Sequence, residues 1–162
     1  MLKLFFILLT IVFFPLFGTA QETLNNINEA VKEYDLANIA YAKDLPEEAY
    51  IHLQKAAKLD PDNAPYLNSV GFLAYQFGDL DKAINYLERA LILDKAYYGE
   101  NHPAVASLMN NLGTVWSKKG DPKKALQYLD QALSFMTNDL GPDHPQTKSV
   151  QAKRDEVAAT VN

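Results

Sequence analysis

The stretch NSVGFLAYQFGDLDKAINYLERALILD, residues 68–94, decides the fold of this chain. A related stretch, NNLGTVWSKKGDPKKALQYLDQAL, follows 42 residues later at 110–133. Six of the seven glycines form three pairs at the same shift: Gly71 with Gly113, Gly78 with Gly120, and Gly99 with Gly141. A fixed period of this length predicts stacked repeats, in which each repeat is one supersecondary unit.

Each copy reads as two helices joined by a tight turn. Apolar and small residues between 67 and 75 recur at the spacing of one helix face, and so do those between 83 and 91. Gly78 is expected to end the first helix because glycine adopts positive φ without strain, and Asp79 to cap the second. The absence of a side chain at Gly71 lets the two helices approach closely.

A weaker copy precedes these two at a shift of 34 residues. Tyr41 maps onto Tyr75, and the second-helix pattern of the later copies is also present. Asp44 stands where the later copies have glycine, so the sequence predicts a differently built turn before Pro46.

Past the third copy, GPDHPQTKSVQAKRDEVAATVN begins like a fourth repeat but stops after one helix. Val150, Arg154 and Val157 form a modest stripe expected to cover the last repeat, as a capping helix does. The predicted segments are a signal peptide (1–20), an N-terminal helix extension (21–29), a first repeat (30–63), a second repeat (64–97), an inter-repeat insertion (98–105), a third repeat (106–139), and a capping helix with its tail (140–162).

The first twenty residues have the order of a secretory signal. Lys3 precedes an apolar run, and small residues lead to a cleavage site expected after Ala20. An uncleaved anchor is the alternative, but the run is shorter than the ~20 residues of a spanning helix and Pro15 interrupts it. The sequence therefore predicts an exported bacterial protein, periplasmic or extracellular and surface-associated, with no membrane span after cleavage.

Composition argues against several other classes of function. The net charge is −5 and no block of basic residues stands out, which disfavours nucleic acid as a partner. The chain has no cysteine, and it contains no phosphate-binding loop, zinc-protease motif or nucleophile elbow. We expect no cofactor and no catalytic residue, and we interpret His52 as a half-buried, hydrogen-bonded residue at the edge of the core.

Two short stretches, GENHP (99–103) and GPDHP (141–145), share a histidine–proline frame. Asn101 and Asp143 are expected to cap the helices that follow, and the histidines to hydrogen-bond within the corner. A shared metal is disfavoured because equivalent atoms of stacked helices lie ~9–10 Å apart. Two imidazoles on one zinc need nitrogens within ~4 Å.

With these motifs, residues 30–139 resemble the tetratricopeptide repeat family. The 42-residue spacing with Gly-x-x-His-Pro resembles the subtype found in kinesin light chains and many bacterial repeat proteins. The resemblance implies an all-α fold: a short right-handed α-solenoid of three helix hairpins with a C-terminal capping helix.

The resemblance also implies a concave groove, lined by the first helix of each repeat, that binds a peptide or a partner subunit. Asparagines there would hold the ligand backbone and aromatic rings would form apolar pockets. As an alternative, Tyr41 and Tyr75 pack between repeats. The implied groove residues are Val31, Tyr34, Asn38 and Tyr41; then Asn68, Phe72, Tyr75 and Gln76; then Ser107, Asn110, Thr114, Ser117 and Lys118.

Some members of the family hold a C-terminal carboxylate with lysine, asparagine and arginine. The positions that match this clamp are Tyr34, Asn38, Ser69, Ser107 and Asn111, of which Asn38 alone agrees. The predicted function is therefore a non-enzymatic adaptor in a bacterial envelope or surface assembly, without a chaperone-tail role. A self-associating scaffold subunit is the alternative, and an undetected enzyme or metal-binding role is third.

Overall fold

The computed structural model describes the backbone of residues 2–161 and the side chains of residues 19–161. The predicted signal peptide (1–20) lies outside the residues with described side chains, except for its last two. In the described chain there are seven helices and no strand, so the predicted all-α class is confirmed. The helices are α1 (Leu2–Ala42), α2 (Pro46–Leu59), α3 (Ala64–Gln76), α4 (Leu80–Tyr98), α5 (Pro103–Lys119), α6 (Pro122–Leu140) and α7 (Pro145–Ala159).

The chain divides into two compact units, Met1–Pro61 and Asp62–Asn162. The first unit is the hairpin of α1 and α2, in which small residues of α1 (Ala30, Ala37 and Ala40) are buried. None of the helices within the described residues has the length and hydropathy that a membrane crossing requires.

His52 lies at the edge of the first unit, which agrees with the half-buried, hydrogen-bonded position predicted from the sequence. Its Nδ1 is 2.5 Å from Glu33 Oε2, and both side chains are largely buried. The hydrogen bond with His52 is the main reason that the pKa of Glu33 lies below its ordinary value. This pair ties α1 to α2.

All three hairpin turns are closed by the same backbone hydrogen bond, which runs from an N–H to the carbonyl five residues earlier. The residue before each donor has positive φ, and in the first hairpin that residue is Asp44, at 59°. The prediction of a different turn there is wrong, because aspartate tolerates the left-handed conformation better than most residues. The bonds join Leu45 to Ala40 (3.0 Å), Asp79 to Ala74 (2.9 Å) and Asp121 to Trp116 (3.0 Å).

The second unit contains the hairpins α3–α4 and α5–α6, with α5 packed on α4 and α7 packed on α6. Gly71 shows how closely α3 and α4 approach, since a Cβ there would stand 2.8 Å from Leu87 Cγ. The predicted cap at Asp79 is confirmed, because its side chain accepts from Lys82 N. The largest fully buried side chains are Leu67, Leu73, Leu87, Leu112, Leu129, Val70, Val105 and Val115.

The corner between α4 and α5 is capped by its histidine. His102 Nδ1 accepts from Ala104 N at 3.2 Å, and its ring stacks on Tyr98 with centroids 4.0 Å apart. The prediction of Asn101 as the cap is wrong, because α5 begins at Pro103 and the capping position is the residue directly before it.

The corner before α7 has the same design. His144 Nδ1 accepts from Gln146 N at 3.3 Å. The prediction of Asp143 as the cap is wrong for the same reason, and its carboxylate instead pairs with Lys148 Nζ at 2.9 Å. Over the described part of the chain, no group of three histidine, aspartate or glutamate side chains is placed to hold a metal.

Helix α7 buries Thr147, Val150 and Val157. Arg154, which the sequence placed in the buried stripe, lies at the surface, where its Nε donates to Asp130 Oδ1 at 2.9 Å. The stripe is completed by Thr147, whose hydroxyl donates to the Met136 carbonyl at 3.3 Å. The predicted capping helix with one buried side is therefore present, but its third buried residue is Thr147 and not Arg154.

Candidate functional site

The α3–α5–α7 face of the second unit contains two adjoining hollows of about 220 and 350 Å³. Tyr75, Thr114 and Lys153 line both of them. The smaller hollow is completed by Phe72, Leu87, Asn111 and Val115, and the larger by Ser117, Lys118, Leu129, Glu156 and Val157.

A repeated side-chain hydrogen bond crosses this face. Asn111 Nδ2 donates to Asn68 Oδ1 at 3.2 Å, and Lys153 Nζ donates to Asn110 Oδ1 at 3.1 Å. The second bond is the first one moved by 42 residues along the chain. Each bond joins the first helix of one repeat to the next such helix, so the sequence repeat produces a ladder of polar contacts along the face.

The hydrogen-bond ladder limits which polar atoms of Asn68 and Asn110 remain available to a ligand. The Oδ1 atoms of Asn68 and Asn110 already accept one hydrogen bond each within the fold. Their amide groups have no hydrogen-bond partner among the described residues, and an amide has two donor hydrogens. At this face the two asparagines are therefore better suited to donate to a ligand carbonyl than to accept from its N–H.

The charged side chains that line this face are two lysines, Lys118 and Lys153, and one carboxylate, Glu156. Lys118 Nζ stands 5.4 Å from the centre of the Tyr75 ring, a cation–π arrangement. Lys153 is half-buried, and burial lowers its pKa. In the described region neither ammonium group lies within 4.0 Å of a carboxylate.

The structure brings together most of the residues that the sequence proposed for the second and third repeats. Phe72 is exposed beside the smaller hollow, and Tyr75 is half-buried between the two. Gln76 is exposed but lines neither hollow. Asn68, Asn110, Thr114 and Lys118 lie at or beside the hollows, as described above.

The residues proposed for the first repeat lie in the other unit. Tyr34 on α1 is half-buried, while Asn38 and Tyr41 are exposed. Their place in a common groove stays a prediction.

Sequence reasoning missed Lys153 and Glu156 at this face, and it considered Asn111 only as a position in the carboxylate clamp. A signal was present, since Lys153 is the residue 42 positions after Asn111. The predicted repeats ended at residue 139, so α7 was treated as a cover for the core. The structure shows that α7 also contributes to the exposed face.

Comparison with known proteins gives the same fold. The family model "Tetratricopeptide repeat" matches residues 61–138, just under half of the chain. The Protein STIP1 homolog of Dictyostelium discoideum is 37% identical over 65 residues, which make up 40% of this chain and only 12% of that protein.

Solved structures with this fold come from varied proteins. A putative kinesin light chain from Podospora anserina superposes with a TM-score of 0.69 at 15% identity, covering 78% of this chain and 64% of that one. The Yersinia enterocolitica type III secretion chaperone SycD, solved with a peptide of the translocator YopD, gives 0.67 at 18% identity, covering 81% and 93%. Residues 61–138 therefore match the tetratricopeptide repeat family, in agreement with the 42-residue period, and the solved structures show the same fold.

Proposed function

We propose that this chain is a non-enzymatic interaction module whose α3–α5–α7 face binds an extended segment of a partner protein. The observation that carries the proposal is the pair of adjoining hollows, lined by aromatic rings and flanked by two lysines that lack a carboxylate partner. A site of this kind suits recognition, because rings supply apolar contact area and a few placed polar groups fix the orientation of the ligand.

The contacts suggest how a segment would lie. An apolar side chain of the segment would cover Phe72, and its carbonyls would accept from the amides of Asn68 and Asn110. A carboxylate of the segment would pair with Lys153, whose charge is poorly solvated and gains most from a counter-charge. The SycD complex supports the general idea that this fold can hold a peptide, since that chaperone was solved with one.

The test is selection of binding peptides on the purified protein, followed by fluorescence anisotropy with a selected peptide. Phe72→Ala and Asn68→Ala are expected to weaken binding at least tenfold. Phe77→Ala is the matched control, because Phe77 is 43% exposed, as Phe72 is, but lines neither hollow. Equal affinity for Phe72→Ala and Phe77→Ala would remove this face from consideration.

Export to a bacterial envelope or surface assembly is the second part of the proposal. Its support is the charged start, apolar run and small residues of the first twenty positions. Expression in a bacterial host followed by intact mass measurement tests it. We expect the recovered chain to begin at Gln21; recovery of the chain uncut would contradict cleavage.

A further inference from the structure

A separate hollow of about 530 Å³ lies in the second unit, between the start of α3 and the end of α4, and we call it the α3–α4 hollow. No residue in the described chain lines both this hollow and the α3–α5–α7 face. The α3–α4 hollow is lined by the carboxyl groups of Asp62 and Asp94 and by the rings of Tyr97 and Tyr98, and its described lining contains no lysine, arginine or histidine. Negative charge and aromatic surface therefore meet in one place.

Asp94 is the most unusual residue of the α3–α4 hollow. It is only 9% exposed, yet in the part of the chain that the structure describes its carboxyl group has no hydrogen-bond donor and no ion-pair partner. Burial raises the pKa of Asp94, and the nearby His102 opposes this only in part. Because buried carboxyl groups are normally paired or hydrogen-bonded, Asp94 lacks the partner that its position requires.

The third repeat shows that the fold does not need a carboxyl group at this position. The residue 42 positions after Asp94 is Met136, which is 7% exposed and occupies the equivalent place on α6. Tyr97 corresponds in the same way to Asp139. An apolar side chain therefore satisfies the packing at this place, and the combination of a buried carboxyl group with tyrosine rings is particular to the second repeat.

The two tyrosine rings lie on the same face of α4 as Asp94, because they follow it by three and four residues. Tyr97 is 81% exposed, and its ring meets the ring of Tyr98 edge to face with centroids 4.6 Å apart. The His102 ring stacks on Tyr98 and covers one of its faces. Tyr97 therefore offers the larger free ring surface, and the face of a tyrosine ring attracts cations, arginine more often than lysine.

We propose that the α3–α4 hollow binds an arginine side chain of a partner protein. The guanidinium group would donate two parallel hydrogen bonds to the Asp94 carboxylate, and its plane would lie against the Tyr97 ring. The exposed carboxylate of Asp62 adds to the negative charge at the entrance. The site goes beyond the proposed peptide face, since the two use different residues and either can be disproved without the other.

A lysine or an anion would fit the α3–α4 hollow less well. A lysine ammonium group is more strongly hydrated than a guanidinium group and cannot match both carboxylate oxygens in the same planar way. An anion would be repelled by Asp94 and would find few donors at the start of α3. Pro65 has no N–H, and the N–H of Tyr66 already donates to Asn63 Oδ1 at 3.3 Å.

The arginine is expected to come from a different protein and not from a second copy of this chain. The chain has two arginines, and both are engaged within its own fold. Arg154 donates to Asp130, and the guanidinium carbon of Arg89 stands 5.9 Å from the centre of the Tyr86 ring. A second copy would have to give up one of these contacts in order to fill the hollow.

The test is titration of the isotope-labelled protein with N-acetyl-arginine amide, followed by the backbone amide chemical shifts. The resonances of Asp94, Tyr97 and Tyr98 are expected to move until saturation, with a dissociation constant in the millimolar range because one side chain makes few contacts. The citrulline derivative keeps the shape of arginine without its charge and should bind at least tenfold more weakly. The lysine derivative should bind severalfold more weakly. Equal affinity for the citrulline derivative would overturn the charge pairing, and equal affinity for the lysine derivative would overturn the assignment to arginine.

Variants test whether Asp94 and Tyr97 are responsible. Asp94→Asn removes the charge, keeps the volume and should weaken the arginine derivative at least tenfold. Tyr97→Leu removes the ring and should weaken it severalfold. Asp139→Asn is the matched control, because Asp139 is an exposed carboxylate at the place that Tyr97 has in the second repeat. Circular dichroism checks that each variant is folded.

Two outcomes would overturn the arginine site. One is unchanged binding in Asp94→Asn, and the other is an equal loss in Asp94→Asn and Asp139→Asn, which would indicate an unspecific effect of net charge. A peptide selected on the α3–α5–α7 face should bind Asp94→Asn as tightly as the wild type, which separates this site from the proposed peptide face. Loss of that peptide in Asp94→Asn would show that Asp94 acts through the fold, and would also contradict a local site.

Discussion

Gly113 lies so close to Leu129 that a Cβ at position 113 would stand 2.6 Å from Leu129 Cγ. Gly113→Ala is therefore expected to force α5 and α6 apart, although alanine favours a helix over glycine by about 1 kcal/mol. We predict a net loss of about 1–3 kcal/mol in the free energy of unfolding. Urea titration followed by the fluorescence of Trp116, the one tryptophan, measures it. Ser117→Ala, at an exposed position of the same helix, is the control, and a Gly113→Ala variant as stable as that control would contradict the close approach.

Asp44 adopts a conformation that glycine adopts more easily, with φ at 59°. Asp44→Gly is therefore expected to stabilise the first unit by about 0.5–1 kcal/mol. Hydrogen exchange of the α1 and α2 amides is the appropriate measurement, because the tryptophan lies in the other unit. Asp60→Gly serves as the control, since Asp60 has a negative φ at the end of α2 and glycine there should give no gain. Faster exchange in Asp44→Gly would contradict the inference that the positive φ of Asp44 strains the first turn.

Asp94 is a buried carboxyl whose pKa is raised by burial, and the nearby His102 opposes the shift only in part. A folded-state pKa above the unfolded value means that this group favours folding most at low pH, and that this contribution is lost as the pH rises through the folded-state value. We predict that Asp94→Met, which copies Met136 of the next repeat, raises the urea midpoint at pH 7 and raises it less at pH 3. The same gain at both pH values would show that packing, and not the carboxyl charge, is responsible.

His102 is expected to stabilise the protein as a helix cap. His102→Ala removes the acceptor of the Ala104 N–H and should cost about 1 kcal/mol of unfolding free energy. His102→Asn supplies a side-chain oxygen at the same position and should recover most of the loss, as thermal unfolding can measure. If asparagine recovers nothing, the stacking of the imidazole on Tyr98 is the more important contact.

Lys153 is predicted to contribute to binding and not to stability. Because burial penalises its charged form, Lys153→Met should leave the urea midpoint unchanged or raise it. The same variant should weaken a selected acidic peptide at least tenfold. Lys148→Met, at an exposed position of α7, is the control for loss of one positive charge. Parallel losses of stability and affinity in Lys153→Met would assign it a packing role.

The repeat at a shift of 42 was sufficient to predict the helix hairpins of the second unit and the cap at Asp79. These features depend on local spacing and on turn residues, which a sequence displays directly. The turn at Asp44 was mispredicted because a residue type only favours a conformation, and the closing hydrogen bond from Leu45 to Ala40 imposes it here. The capping residues are His102 and His144, each one position after the expected Asn101 and Asp143. The capping position depends on the residue at which the helix begins.

The α3–α5–α7 face could be predicted in part. Phe72, Tyr75 and Thr114 are implied by the groove positions of the family that the repeats resemble. Lys153 does not, because its role depends on two separate facts: α7 packs beside α5, and its side chain reaches Asn110. Contacts between helices that are distant in sequence appear only once the helices are packed.

All three hairpin turns are closed by the same hydrogen bond although the repeats differ in length. The spacing between the first and second turns is 34 residues and that between the second and third is 42, yet the bonded geometry at each turn is unaltered. The additional residues are accommodated at the opposite end of the hairpins, where Gly99 and His102 form a compact bend between α4 and α5. Insertions and deletions at these bends would therefore extend or shorten the helix ends while the tightly packed ends keep their fit, which makes the bends the natural place to graft a new loop.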